Sequence, residues 1–192
     1  SQKRFEEFFN AIPKTVTKLL LAAKSSEHIS HPDALNRDYS VLNKMNITQL
    51  AIEKPELSDN TLSSILLSIG DQLEELDITS CTKITTVADC NLTRLRVFKC
   101  SQTLFTEQGI ETLSTMCANT LEVFEAWGSS LKSFGHCQPF RALKKINLMN
   151  SIYFGNMGVQ QISESTPSLE ILILSGTKVT SFEGCSRFVK LT

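Results

Sequence analysis

Apolar residues recur along the chain at positions 1, 4 and 6 of short blocks: Val16, Leu19 and Leu21; Ile47, Leu50 and Ile52; Leu73, Leu76 and Ile78; Leu95, Phe98 and Cys100; Leu121, Phe124 and Ala126; Leu143, Ile146 and Leu148; Leu169, Leu172 and Leu174. An eighth block opens at Leu191. Successive blocks start 31, 26, 22, 26, 22, 26 and 22 residues apart, so from Ile47 onward two kinds of unit alternate with a combined period of 48. Apolar residues two apart with a polar residue between them fit a strand, whose successive side chains face opposite ways. Positions 4 and 6 then point inward and positions 3, 5 and 7 outward. No unit of this size closes a core alone, so neighbouring units are expected to stack their strands into one parallel sheet.

The segments between blocks separate the two kinds of unit. In the long units Ser58 precedes Leu62, Ile65, Leu66 and Ile69; Thr106 precedes Ile110, Leu113, Met116 and Cys117; and Asn156 precedes Val159 and Ile162, ahead of Pro167. A capping side chain followed by apolar residues at helical spacing predicts three amphipathic helices. The short units carry only Ile84–Val87, Leu131–Phe134 and Val179–Phe182, too brief for two helical turns, and predict extended or tight-turn crossings. Ahead of the first block, Phe5, Phe8, Phe9 and Ile12 recur at helical spacing up to Pro13. They predict a helix over 2–12 whose aromatic stripe lies over the first repeat. The first unit is about nine residues longer than its place in the alternation requires; it includes 27–33 and is expected to hold a second helix over 37–44. The chain thus divides into a capping helix over 1–13 and a repeat domain over 14–192, about seven repeats with an eighth truncated. The far end shows no comparable cap, so the expectation is that the chain continues, or that another chain covers it, self-association included.

The pattern L-x-x-L-x-L at a period of 22 to 26 residues resembles the leucine-rich repeat family along nearly the whole sequence. That resemblance implies an α/β fold: a horseshoe solenoid with a parallel sheet on its concave side and helices on the convex side of alternate repeats. The helix openings at Ser58-Asp59 and Thr106-Glu107, and the closings at Cys117-Ala-Asn-Thr-Leu121 and Thr166-Pro-Ser-Leu169, are similar to the cysteine-containing or ribonuclease-inhibitor-like subfamily found in F-box and related intracellular proteins. One departure concerns position 9, where many members carry an Asn whose amide satisfies buried backbone at the bend. Here that position holds Lys24, Pro55, Cys81, Thr103, Ser129, Ser151 and Thr177, so small hydroxyl or thiol groups have to do the work. The run from Asn10 to Leu21 also resembles the junctions of leucine-rich-repeat effectors that intracellular bacterial pathogens inject into host cells. No F-box pattern occurs in the sequence, so a ubiquitin-ligase role would need a further segment.

Composition narrows the function classes. With 192 residues, 41% of them hydrophobic, and a net charge of -1, the chain has the means to bury a core and no basic field for nucleic acid. Its longest apolar run, Leu19 to Ala23, is far short of a membrane span, and the N-terminus has no signal-peptide layout. The six cysteines, Cys81, Cys90, Cys100, Cys117, Cys137 and Cys185, follow the repeat. Cys90, Cys137 and Cys185 recur once per pair of units and so stand about 10 Å apart, beyond the reach of a disulfide. Free thiols fit a reducing, cytoplasmic setting, which is the host cytoplasm for a secreted effector. His28, His31 and Asp33 form the densest group of candidate ligands, but no second pair completes a zinc set. His136 and Cys137 are adjacent and point to opposite sides of an extended segment, which does not make a nucleophile and base. Phosphate-loop, dinucleotide, Gly-x-Ser-x-Gly and His-Glu-x-x-His motifs are all lacking. Asn46-Ile-Thr and Asn91-Leu-Thr match the glycosylation triplet, against which the thiols argue. Neither a metal nor a cofactor is expected, and no enzyme activity.

The expected function is therefore a protein-binding scaffold, with a substrate-recognition module of a ubiquitin ligase, or the non-catalytic part of a larger enzyme, as alternatives. Reading outward positions 3, 5 and 7 in order, apolar residues concentrate in the later repeats. Val97, Val123, Trp127, Met149, Ile171 and Ile173, interleaved with Lys99, Glu125 and Lys145, are expected to form one connected partner-binding patch anchored by Trp127, the only tryptophan. Ser101 falls in the same outward column.

Overall fold

The computed structural model describes residues 2–22 and 38–191. Within them seven strands, β1 (Lys18–Ala22), β2 (Gln49–Glu53), β3 (Glu75–Asp77), β4 (Val97–Lys99), β5 (Val123–Glu125), β6 (Lys145–Asn147) and β7 (Ile171–Ile173), form one parallel sheet in sequential order. Lys18, Gln49, Glu75, Val97, Val123, Lys145 and Ile171 stand side by side across it. The block spacing is thus the strand register. A slip of one residue would turn every inward side chain to solvent, so the pattern leaves one alignment. At position 4, Leu50, Leu76, Phe98, Phe124 and Ile146 are at most 1% exposed, as are Ile52, Ile78, Cys100, Ala126 and Leu148 at position 6.

Ring contacts run through the middle of this core, from Phe105 to Phe98 at 5.2 Å, to Phe124 at 6.0 Å, to Phe134 at 5.8 Å and to Phe140 at 6.1 Å. Cys100 and Ala126, the small inward residues, lie in the rungs that carry these rings, the volume compensation that a close-packed interior requires.

Beyond the strands the rungs stay joined. The position-6 amides of Ile78, Cys100, Ala126 and Leu148 donate to the next rung, and so do the position-8 amides of Ser80, Gln102, Gly128 and Asn150, at 2.7 to 3.0 Å. Aiming the second set requires a sharp bend. Ser80, Gln102, Gly128, Asn150 and Gly176 all take positive φ, between 55° and 75°, and only two of them are glycines. At position 9 the small polar groups satisfy the backbone as expected. Cys81 Sγ donates to the Ile52 carbonyl, Thr103 Oγ1 to Cys100, Ser151 Oγ to Ala126 and Thr177 Oγ1 to Leu174.

Helices α2 (Asp59–Ile69), α3 (Glu107–Cys117) and α4 (Asn156–Ser165) follow β2, β4 and β6, while the crossings from β3 to β4 and from β5 to β6 contain none. Ser58 and Thr106 cap the first two helices, accepting from Thr61 N at 3.3 Å and Gly109 N at 3.1 Å. The third differs from expectation: Gly155 stands at the cap and Asn156 is the first helical residue. Its amide is used elsewhere, with Oδ1 accepting from Thr180 N and Ser181 N in the following unit. Asp59 does the same for Thr85 N and Thr86 N, and Glu107 for Lys132 N. Side chains on each helix's first turn thereby hold the next, helix-free crossing extended.

At the N-terminal end, α1 (Gln2–Ala11) packs on a 3-10 turn, Ser40–Lys44, with Gln2 bonded both ways to the Asp38 backbone. The expected aromatic stripe is only partly used, because Phe9 is buried while Phe8 is 63% exposed and meets Phe9 edge-on. The helix expected over 37–44 is, within the described residues, only this five-residue turn. Asp38 Oδ1 accepts from Ser40 N just ahead of it, and Met45 N closes it by an i to i+3 bond to Leu42. Lys24, His28, His31 and Asp33 lie outside the described residues.

Candidate partner-binding face

One side of the sheet is filled by the core; the other carries positions 3, 5 and 7. Val97 pairs with Val123 and Lys99 with Glu125, next to Lys145 and Asn147 on β6, then Ile171 and Ile173 on β7. The expected residues do share one face, but the patch is less continuous than its columns imply. Lys145 and Asn147 separate Val123 from the two isoleucines, and Met149 is the apolar outward residue of that rung. Trp127 is half-buried, Met149 is 38% exposed and Ile171 44%. Ser101 does not belong to the face. It is fully buried, and its hydroxyl accepts from Trp127 N at 3.2 Å, fixing the backbone under the indole. A serine this small can turn under the bend, where it replaces a backbone acceptor.

The charges on the face are arranged across rungs. Lys99 Nζ lies 2.7 Å from Glu75 and 3.9 Å from Asp77, and Lys145 Nζ lies 2.7 Å from Glu125. The hydrogen bond to Glu75 holds the Lys99 ammonium above its ordinary pKa, against the opposing effect of partial burial. Along position 2, at the sheet's entry edge, Glu74, Arg96, Glu122, Lys144 and Glu170 alternate in sign. Arg96 and Lys144 both bond Glu122, at 3.0 and 3.3 Å, and lower its pKa. Between β2 and β3 the face sinks into a depression of about 450 Å³ lined by Ala51, Glu53, Pro55, Asp77, Thr79 and Ser80.

Several exposed apolar residues lie just past the bend, where the strand pattern gives no guidance: Leu104 (52%), Ile152 (55%) and Tyr153 (51%). The Tyr153 ring has Lys178 Nζ 5.5 Å from its centroid. Position 10 of the described repeats reads Glu56, Thr82, Leu104, Ser130, Ile152 and Lys178. Comparing that column across repeats is the signal that singles out Leu104 and Ile152.

The six cysteines are free; Cys81, Cys100 and Cys117 are buried and the other three half-buried. Burial pushes every one of these thiols up, Cys90 and Cys117 to about 12, which keeps them protonated and poorly nucleophilic. His136 is exposed, whereas Cys137 is half-buried. Among the described residues no group of three His, Cys, Asp or Glu side chains could hold a metal ion, and no helix is long and apolar enough to cross a membrane.

No family model and no curated protein matches the chain. Its structure is similar to a chain in the crystal structure of the Rad7 and Elc1 complex in yeast, with a TM-score of 0.55 and 18% identity, over 100% of this chain and 57% of that one. This chain therefore spans little more than half the length of that relative in structure. The likeness is one of fold, and with the seven-rung parallel sheet it supports a leucine-rich-repeat-like repeat architecture.

Proposed function

We infer that this chain is a protein-interaction module that binds a protein partner on the outward face of its sheet, with Val97, Lys99, Val123, Glu125, Trp127, Lys145, Met149, Ile171 and Ile173 as the contact set. The observation that carries the reading is the exposure of Met149 and Ile171 beside a half-buried Trp127 on a face where Lys99 is paired with Glu75 and Lys145 with Glu125. Aromatic and aliphatic anchors ringed by polar groups are the make-up of a binding hot spot. The similar chain of known structure comes from a complex of two proteins, which favours an interaction role over a catalytic one. The finer parts of the reading are a horseshoe curvature with this sheet concave, the ribonuclease-inhibitor-like repeat class, and a cytoplasmic setting. To these the Asn10–Leu21 junction adds delivery as a bacterial effector. Trp127→Ala tests the core of it. Capture of the partner should weaken by about 2 kcal/mol or more, with folding changed by only about 1 kcal/mol because the side chain is half-exposed. Unaltered capture by a folded variant overturns the reading.

A further inference from the structure

The outward face is uneven from end to end, and the unevenness describes what it fits. At the β5–β7 end Glu125 is matched by Lys145, leaving Trp127, Met149, Ile171 and Ile173 as its uncompensated character. At the β2–β3 end three carboxylates, Glu53, Glu75 and Asp77, share the face with Lys99 from β4. Lys99 lies 2.7 Å from Glu75 and 3.9 Å from Asp77, one cation between two carboxylates, and no ion pair among the described residues reaches Glu53. Glu53 and Asp77 line the depression of about 450 Å³, and no basic side chain lines it. The rest of its wall is Ala51, Ile52 and Pro55, with Thr79 and Ser80. An apolar wall leading to carboxylates matches a side chain with a methylene stem and a cationic head, which buries the first and keeps the second hydrogen-bonded. Asp77 lines the depression with its Oδ1 accepting from Thr79 N at 3.0 Å and its Oδ2 3.9 Å from Lys99, so the carboxylate is held in place beside Glu53.

We propose that the partner presents a linear segment in which a lysine or arginine side chain stands three or four residues from an aromatic or aliphatic one, with the cation seated in the β2–β3 depression and the apolar group against Trp127 and Met149. The spacing follows from the rungs. β3 and β5 are two strand separations apart, about 10 Å, and β6 lies one further, at about 14 Å, distances that an extended chain covers in three or four residues. This inference rests on the outward face being the binding surface.

A random linear peptide library displayed against the immobilised full chain tests it. Selected peptides should share a cation three or four residues from an aromatic or aliphatic residue. A selected peptide should bind about tenfold more weakly to a Glu53→Gln, Asp77→Asn variant, and its affinity should fall steeply with salt. Its glutamine-for-cation analogue should bind both proteins equally. Glu53→Gln alone, at an exposed position, should show part of the loss and guards against a folding defect in the double variant. Peptides that depend on Trp127 but carry no cation, or that bind the double variant as well as the parent, overturn the inference and leave the binding face standing. Peptides indifferent to Trp127→Ala overturn both, and a library that yields no binder overturns the inference.

Discussion

Ser129 and Ser151, 22 residues apart in sequence, bring their hydroxyls to 3.1 Å of each other inside the bend of adjacent rungs, and both are buried. Ser151 Oγ also donates to the Ala126 carbonyl and accepts from Ser129 N at 3.3 Å. One hydroxyl therefore satisfies backbone groups of the neighbouring repeat that no strand partner reaches. Ser151→Ala should lower stability by about 1–3 kcal/mol, the range for buried polar groups left unpaired. Ser130→Ala, at an exposed position one residue along the same bend, should change it by less than about 0.5 kcal/mol. Urea denaturation of the two variants decides this; equal effects would mean that water replaces the lost hydroxyl.

Gln102 sits at φ 55° in a position that Gly128 and Gly176 fill elsewhere. A side chain in the left-handed region costs about 1–2 kcal/mol, partly offset by glycine's greater freedom when unfolded. Gln102→Gly should raise stability by about 0.5–1 kcal/mol, and Gly128→Ala should lower it by about 1 kcal/mol. Thermal melts of the pair should move in opposite directions.

Phe134 and Phe182 occupy equivalent crossings, yet Phe134 is 1% exposed and Phe182 52%. Phe134→Ala removes ring contacts to Phe124 and Phe140 and should cost about 3–5 kcal/mol. The same change at Phe182 should cost less than about 1 kcal/mol. A comparable loss at both would show that Phe182 is covered in solution.

The thiols give a pH dependence of definite sign. Cys117 is raised to about 12 when folded. An unfolded thiol titrates near 8.5, so the folded state binds more protons between the two values, and stability falls as pH rises through that window, by at most about 1.4 kcal/mol per pH unit per thiol. Below it the thiol adds no slope. Denaturation midpoints at neutral and alkaline pH should converge for the parent and Cys117→Ala if this holds. Without reductant, all six thiols should react under denaturing conditions, and Cys81, Cys100 and Cys117 should be protected in the native chain.

Strand register, helix placement and the inward residues were legible because stacking repeats the same test at each rung, and a position that fails it once is visible against the others. Local spacing points to Asn156 as a cap because its actual partners, Thr180 and Ser181, lie a whole unit away and carry no periodic mark. Ser101 departs from its column for a related reason: period-2 alternation ends where the left-handed bend begins, so position 7 points in or out according to what the bend requires. The split in the apolar patch was readable from Lys145 and Asn147 themselves. What the columns did not carry was the depression beside Asp77, which depends on how two rungs meet and not on either one alone.

The alternating signs of Glu74, Arg96, Glu122, Lys144 and Glu170, together with helices that each hold the following crossing, make odd and even rungs unlike. Cutting out one short unit, 73–94, would set α2 against α3 and leave Asp59 without Thr85. Excising 73–120 instead would bring Glu122 to where Glu74 stood and Ser133 to the place of Thr85, where the Asp59 carboxylate already awaits a crossing amide. The chain is thus built to be lengthened or shortened only in steps of 48 residues, as a polymer whose monomer is a pair of rungs.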